Sequence, residues 1–157
     1  MGNSREVNML AREVVDALKC AGFTVHRYNS YSTNSIFLKV DYGVCKSIRI
    51  SDHGGKQYLK YRYNIGTNYD EIKSELVMFN GYSFERFYYP ACCVGDMLFH
   101  IRAYRDELIA KYGKTAYMKI ELKEYEEHIK DKGFWQQARL VNKGEYFLEG
   151  TEDKWKM

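Results

Sequence analysis

The spacing of apolar residues predicts a helix near the start of the chain. Between residues 4 and 21 apolar side chains recur every three or four positions, which places them on one side of a helix. Asn3 or Ser4 is suited to cap the start of this helix, and Gly22 to end it in the left-handed conformation. We therefore expect an amphipathic helix with one face against a core.

The following segments alternate apolar and polar residues, as half-buried β-strands do. This alternation predicts strands over residues 23–28, 35–41, 44–51 and 56–65, separated by polar or glycine-containing turns. An irregularity near Lys46 indicates a bulge. The four segments together predict an antiparallel meander.

The second half of the chain is predicted to be mainly helical. Apolar spacing favours helices there, whereas the pattern of one aromatic segment is ambiguous. The elements are a short helix over 70–79, the ambiguous segment 82–89, a helix between Pro90 and Gly113, a helix over 115–132 and a hairpin within 139–148.

These elements predict an α+β fold with an N-terminal helix, an antiparallel sheet of three to five strands and a helical C-terminal half. The chain has 157 residues, a usual size for one domain, and no repeat or low-complexity linker interrupts it. We expect a single α+β domain over residues 1–150 and a polar C-terminal tail over 151–157.

Composition limits the classes of function. The 24 basic and 21 acidic residues give a net charge of +3, which is too balanced to indicate nucleic-acid binding without regard to where the charges lie. No segment approaches the roughly 20 apolar residues of a membrane span, so no membrane association is expected. Charged residues interrupt the N-terminus where a secretory signal would be apolar, which predicts a cytoplasmic location. The 15 Tyr and 8 Phe suit either the rim of a core or an interaction surface.

The sequence predicts no catalytic residues, no metal and no cofactor, and hence no enzyme. The four cysteines and four histidines lack the spacing of zinc ligands. Ser51, Asp52 and His53 are adjacent, but neighbouring strand residues point to opposite faces, so a turn explains them better than a catalytic triad. A metal-dependent nuclease needs carboxylates on neighbouring strands with a lysine nearby, and the pair Lys39 and Asp41 does not supply that set. No glycine-rich phosphate loop is present either.

Basic residues and tyrosines are interleaved between residues 46 and 62, with Asp52 as the one acid among them. Cations on a sheet attract phosphates, and exposed tyrosines stack on bases, so this segment is the best candidate for a partner or nucleic-acid surface. An ordinary solvated sheet face explains the pattern equally well. The candidate residues are Lys46, Arg49, Asp52, His53, Lys56, Tyr58, Lys60 and Arg62.

Acidic residues are concentrated in the last predicted helix. They fit a homo-oligomer contact or a surface that mimics DNA, and a solvated helix face is the commoner explanation. The candidate acidic patch consists of Glu121, Glu124, Glu127 and Asp131.

Two strand segments carry a resemblance to known proteins. Residues 35–40 read Ser-Ile-Phe-Leu-Lys-Val, and residues 47–53 read Ser-Ile-Arg-Ile-Ser-Asp-His. This pattern resembles small phage and prophage proteins, and its Ile-Arg-x-Ser-x-His segment is similar to one in type II-A anti-CRISPR proteins. The resemblance covers about a fifth of the chain. The resemblance points to Arg49, Ser51, Asp52 and His53 and implies no catalytic role for them. The anti-CRISPR protein with the similar segment has a strongly basic N-terminal arm, which this sequence lacks.

The resemblance implies a phage or mobile-element protein that inhibits a bacterial defence nuclease by stoichiometric binding. Its partner would be a CRISPR effector or the guide RNA of that effector, in the cytoplasm of the bacterial host. The alternative is a nucleic-acid-binding accessory protein of a phage or prophage that uses the basic sheet segment. A small nuclease ranks third.

Overall fold

The computed structural model describes residues 4–30, 35–53, 56–64, 74–79, 82–90, 93–130 and 138–152. For residues 52–53, 56–64, 74–79 and 82–90, and for His128, the description covers the backbone only.

The described elements confirm the α+β class, with an N-terminal helix, an antiparallel sheet and helices in the C-terminal half. Two of the strands join the sheet from the second half of the chain. In chain order the elements are α1 (Arg5–Cys20), β1 (Val25–Asn29), β2 (Ser35–Val40), a 3-10 helix (Asp41–Gly43), β3 (Ser47–His53), β4 (Lys56–Asn64), β5 (Ser74–Phe79), β6 (Tyr82–Pro90), α2 (Val94–Tyr112), α3 (Lys114–Lys130) and β7 (Arg139–Asn142).

Helix α1 forms where the apolar spacing predicts it. The hydroxyl of Ser4 accepts a hydrogen bond from the backbone N–H of Val7 at 3.2 Å, so Ser4 is the N-cap. Gly22 follows the helix with φ of 80°, a left-handed conformation that a side chain would strain. Both predicted ends of the helix are confirmed.

The sheet has the strand order β5-β6-β4-β3-β2-β1-β7, and each neighbouring pair is antiparallel. It therefore extends further than the three to five predicted strands. The helix predicted over residues 70–79 is wrong, because residues 74–79 form β5 and pair with β6. The apolar run Leu76–Phe79 is continuous, and periodicity alone cannot assign such a short run to a helix or a strand.

The hairpin predicted within residues 139–148 is also wrong. Strand β7 pairs with β1, and the chain beyond it docks onto the segment before β1. The side-chain amide of Asn142 donates to the carbonyl of Phe23 at 2.6 Å, and the N–H of Gly144 donates to Thr24 Oγ1 at 2.9 Å. A Cβ atom at position 144 would overlap the backbone of residues 22–24, so this approach requires glycine.

The connection between β2 and β3 has an unusual backbone. Asp41, Tyr42 and Lys46 have φ of 47°, 61° and 62°, values that residues other than glycine adopt rarely. As a result β3 begins at Ser47, three residues after the predicted start at Val44. Such conformations cost on the order of 1–3 kcal/mol each and persist where surrounding contacts hold them.

The hydrophobic core lies between the helices and one face of the sheet. Helix α1 contacts β1, β2 and β3, and α2 contacts α1, α3 and β6. Within the described ranges, no helix is long and apolar enough to cross a membrane. The buried core side chains include Val7, Leu10, Val14 and Leu18 of α1, Ile36, Leu38, Ile48 and Ile50 of the sheet, Met97 and Ile101 of α2 and Tyr117 of α3.

Candidate functional site

The sheet face opposite the helices carries polar, basic and aromatic side chains, and we call it the open face. The core residues of β2 and β3 alternate with the residues of this face, so the two sets point to opposite sides. Among the described members, His26 and Ser35 are buried and the others are half-buried. The members are His26, Tyr28, Ser35, Phe37, Lys39, Ser47, Arg49 and Ser51.

Two aromatic rings and one guanidinium meet at the centre of the open face. Tyr28 and Phe37 are cross-strand partners of β1 and β2, and their ring centroids are 6.4 Å apart. Arg49 is the partner of Phe37 on β3, and its guanidinium carbon lies 5.6 Å from the phenyl centroid. The Arg49 Nε–H donates to Ser35 Oγ at 3.1 Å. Neighbouring side chains therefore hold this cation in place beside the ring.

The open face is positively charged where its side chains are described. Lys39 and Arg49 belong to the face, half-buried Lys46 precedes β3, and no carboxylate occurs among the eight described members. The same face continues onto β4, where position 60 pairs with Arg49 and position 62 pairs with Ser47. Opposite positions in an antiparallel pair share a face.

For most of the predicted partner-binding residues the structure describes the backbone but not the side chain. The structure places Arg49 beside Phe37 on the open face, Lys46 directly precedes β3, and the register pairs Ser51 with Tyr58 and His53 with Lys56. The remaining candidates have side chains outside the described residues; they are Asp52, His53, Lys56, Tyr58, Lys60 and Arg62. Sequence reasoning missed Tyr28 and Phe37, although strand alternation places Phe37 with Lys39.

A second group of polar residues lies at the end of the sheet, and we call it the polar cluster: Asp41, Cys45, Arg105, Tyr117 and Glu121. Asp41 is fully buried. Its Oδ1 accepts from the N–H of Thr24 at 2.8 Å, and its Oδ2 accepts from the Tyr117 hydroxyl at 2.6 Å. The backbone N–H of Asp41 donates to the carbonyl of Thr24 at 2.8 Å, which fixes the unusual turn against β1.

Arg105 joins three parts of the chain at the polar cluster. Its guanidinium donates to the carbonyls of Ala21 and Gly22 at 3.0 and 3.2 Å, at the end of α1 where backbone acceptors lack helical partners. It also lies 3.5 Å from Asp41 Oδ2, and its guanidinium carbon is 3.9 Å from the ring centroid of Phe23. Arg105 is buried, so these contacts replace water around the cation.

Glu121 corrects the predicted acidic patch. It is fully buried, because the side of α3 that carries it faces the 3-10 helix rather than solvent. Among the described residues no group forms a hydrogen bond with either of its carboxyl oxygens. Glu124 is half-buried and Glu127 is exposed, while Asp131 lies outside the described residues. The acidic surface is therefore smaller than predicted.

Burial raises the pKa of several groups in this region. The pKa of Glu121 rises to about 9, first because of burial and then because of nearby Asp41, with Arg105 opposing the shift. Burial also raises the pKa of Asp41 despite the donors around it, and raises the pKa of the Cys45 thiol. The Tyr42 hydroxyl, which contacts Thr151 Oγ1 at 2.6 Å, has its pKa raised by burial to about 12.

The polar cluster stabilises the fold, because its hydrogen bonds connect the end of α1, the turn after β2, α2 and α3. The hydrogen bonds of Asp41, Arg105 and Tyr117 are directed at backbone groups and at one another. In the part of the chain that the structure describes, the Arg105 Nε–H and both carboxyl oxygens of Glu121 are buried without a hydrogen-bond partner. Within the described residues, no group of three His, Cys, Asp or Glu side chains is placed to hold a metal ion. Its members come from three segments, at residues 41–45, 105 and 117–121, which are too far apart in sequence for a motif to reveal them.

Comparisons with protein-family models, with curated proteins and with solved structures give no match.

Proposed function

We propose that this protein is a stoichiometric inhibitor of a CRISPR-type bacterial defence nuclease, encoded by a phage or other mobile element. It binds the guide RNA of the effector through the open face. The observation that carries the proposal is that the open face combines two cations, Lys39 and Arg49, with the aromatic rings of Tyr28 and Phe37. None of the eight described members of this face is an acid. The resemblance of the β2 and β3 segments to anti-CRISPR proteins supplies the defence nuclease as the target.

Charge complementarity supports RNA as the contacted component. A guide RNA presents a regular array of phosphates, which attract Lys and Arg and give binding that weakens with salt. A DNA-mimicking inhibitor would instead need exposed acid, and that reading loses support because Glu121 is buried.

The test is co-purification of the tagged protein from cells that express a CRISPR effector with its guide. The captured complex is then assayed for target cleavage. We expect capture, loss of cleavage, and inhibition that saturates at one protein per effector–guide complex. Bound RNA with neither capture of an effector nor loss of cleavage would favour the nucleic-acid-binding accessory protein, and a chelator-sensitive cleavage by the protein itself would favour the small nuclease.

A charge reversal on the open face sharpens this test. Arg49→Glu places an acid beside Phe37 and is expected to abolish both capture and inhibition while the protein stays folded. The matched control is Arg102→Glu, the same change at an exposed position on α2, and it should inhibit like the unaltered protein. Inhibition by the Arg49→Glu variant at full strength would contradict the use of this face.

A further inference from the structure

The arrangement of rings on the open face bears on which form of nucleic acid it accepts. We propose that the open face binds unpaired nucleotides, with bases stacked at Tyr28 and at the Phe37–Arg49 pair, and that it discriminates against duplex. This inference rests on the proposed function, since it names the part of the RNA that the face contacts.

The distance between the two rings is the first step. The ring centroids of Tyr28 and Phe37 are 6.4 Å apart, whereas stacked bases along one strand are spaced by about 3.4 Å. Two neighbouring bases can occupy the two rings only if they separate from each other. Bases of a single strand can splay apart in this way, but bases in a duplex stay stacked and paired.

The second step concerns Arg49. Its guanidinium is planar and is held near the phenyl ring of Phe37 by the bond to Ser35 Oγ. A planar cation offers a base a stacking surface, and its other N–H groups can donate to phosphate oxygens. Arg49 therefore can contact both parts of a nucleotide, while Lys39 on the adjacent strand supplies a second charge for the backbone.

The third step is the shape of the surface. The face belongs to neighbouring strands of an antiparallel sheet, on the side away from α1. An α-helix or a β-ribbon can enter the major groove of DNA, whereas a broad sheet presents its side chains to bases that lie flat upon it. Every base has a π-face, so a surface that binds by stacking should tolerate different base sequences.

The experiment measures binding of the full chain to a labelled oligouridine RNA by fluorescence anisotropy. The competitor is a blunt RNA duplex of equal length. We expect the single strand to bind about tenfold or more tightly than the duplex, because only unpaired bases gain the stacking contacts. The affinity should fall with salt at a log–log slope of about −0.7 for each phosphate contacted.

Variants separate stacking from charge. Phe37→Leu keeps the apolar volume and removes the ring, so binding should weaken roughly 5- to 150-fold with an unchanged salt slope. Phe99→Leu on α2 is the matched control, because Phe99 is 75% exposed and away from the face, and it should bind normally. Circular dichroism checks folding, and Tyr28→Leu replaces the first variant if Phe37→Leu fails to fold.

The outcomes test the binding of unpaired nucleotides separately from the inhibitor function. Equal affinity for duplex and single strand, or normal binding by folded Phe37→Leu and Tyr28→Leu variants, would overturn the inference. An effector that is captured and inhibited by a protein with no affinity for oligouridine would also overturn it, and would leave the inhibitor function standing. Stacking-dependent binding without capture of any effector would support the inference and overturn the inhibitor function.

Discussion

The open face and the polar cluster both place an arginine beside aromatic rings, but their surroundings differ. Arg105 is buried and donates to two backbone carbonyls, while half-buried Arg49 donates to the side chain of buried Ser35. A buried cation must have its polar contacts inside the protein, because water cannot supply them. The same residue type therefore serves the fold at one site and can serve a partner at the other.

The largest expected effect is that of removing the buried cation. Arg105→Leu removes the ion pair with buried Asp41 and the side-chain donor to the Ala21 carbonyl, and should lower the free energy of unfolding by about 3–5 kcal/mol in urea titrations. The control is Arg102→Leu at an exposed position of the same helix, expected to stay within about 0.5 kcal/mol. Equal losses of unfolding free energy in the two variants would contradict a structural role for the buried Arg105.

The next effect concerns pH. Glu121 is expected to keep its proton in the folded protein up to a pKa of about 9, against an ordinary value of 4.5. The folded state thus binds more protons than the unfolded state between these values, and the unfolding free energy should fall by up to about 1.4 kcal/mol per pH unit as pH rises. Facing groups from the neighbouring elements are Asp41, Tyr42 and Arg105.

Glu121→Gln tests this directly, since a glutamine does not titrate. The variant should lose this alkaline destabilisation in urea titrations repeated across the pH range. Glu127→Gln, at an exposed position of α3, should retain the full pH dependence of the unaltered protein. If the unfolding free energy of Glu121→Gln falls with pH as it does in the unaltered protein, a group other than Glu121 is responsible for the alkaline destabilisation.

A smaller effect is expected for Tyr117→Phe. The change removes the hydroxyl that donates to Asp41 at 2.6 Å and lies 3.2 Å from the Cys45 sulfur. Loss of this donor leaves a buried acceptor less well satisfied, which costs about 1–3 kcal/mol, so the unfolding midpoint in urea should drop accordingly. Tyr112→Phe is the control, because the Tyr112 side chain is 54% exposed and should tolerate the loss of its hydroxyl. A drop no larger than that of the control would mean that Asp41 does not depend on this bond.

The two regions also differ in how far the sequence predicts them. Strand alternation places Phe37 and Lys39 together because strand geometry has a period of two. The predicted basic segment falls on β3 and β4, which pair as neighbours in the sheet. The polar cluster depends instead on contacts between Asp41, Arg105 and Tyr117 across 64 and 76 residues. No local pattern encodes such contacts.

Glu121 shows why one member of the predicted acidic patch was misplaced. Charged residues are rarely fully buried unless paired, so an acidic helix is normally read as solvated. Here α3 packs against the turn after β2, and position 121 lies on the packed side together with Tyr117, one helical turn earlier. The sequence predicts a helix over residues 115–132 but gives no sign that an acid four residues after Tyr117 shares the burial of that residue.

The most direct test of the open face as the binding surface is a two-dimensional NMR titration of the labelled protein with single-stranded oligouridine. We predict that backbone amide signals of Tyr28, Phe37, Lys39 and Arg49 shift, while those of Asp41, Arg105 and Tyr117 stay in place. Shifts confined to α2 and α3, or no shifts at concentrations where inhibition occurs, would contradict it.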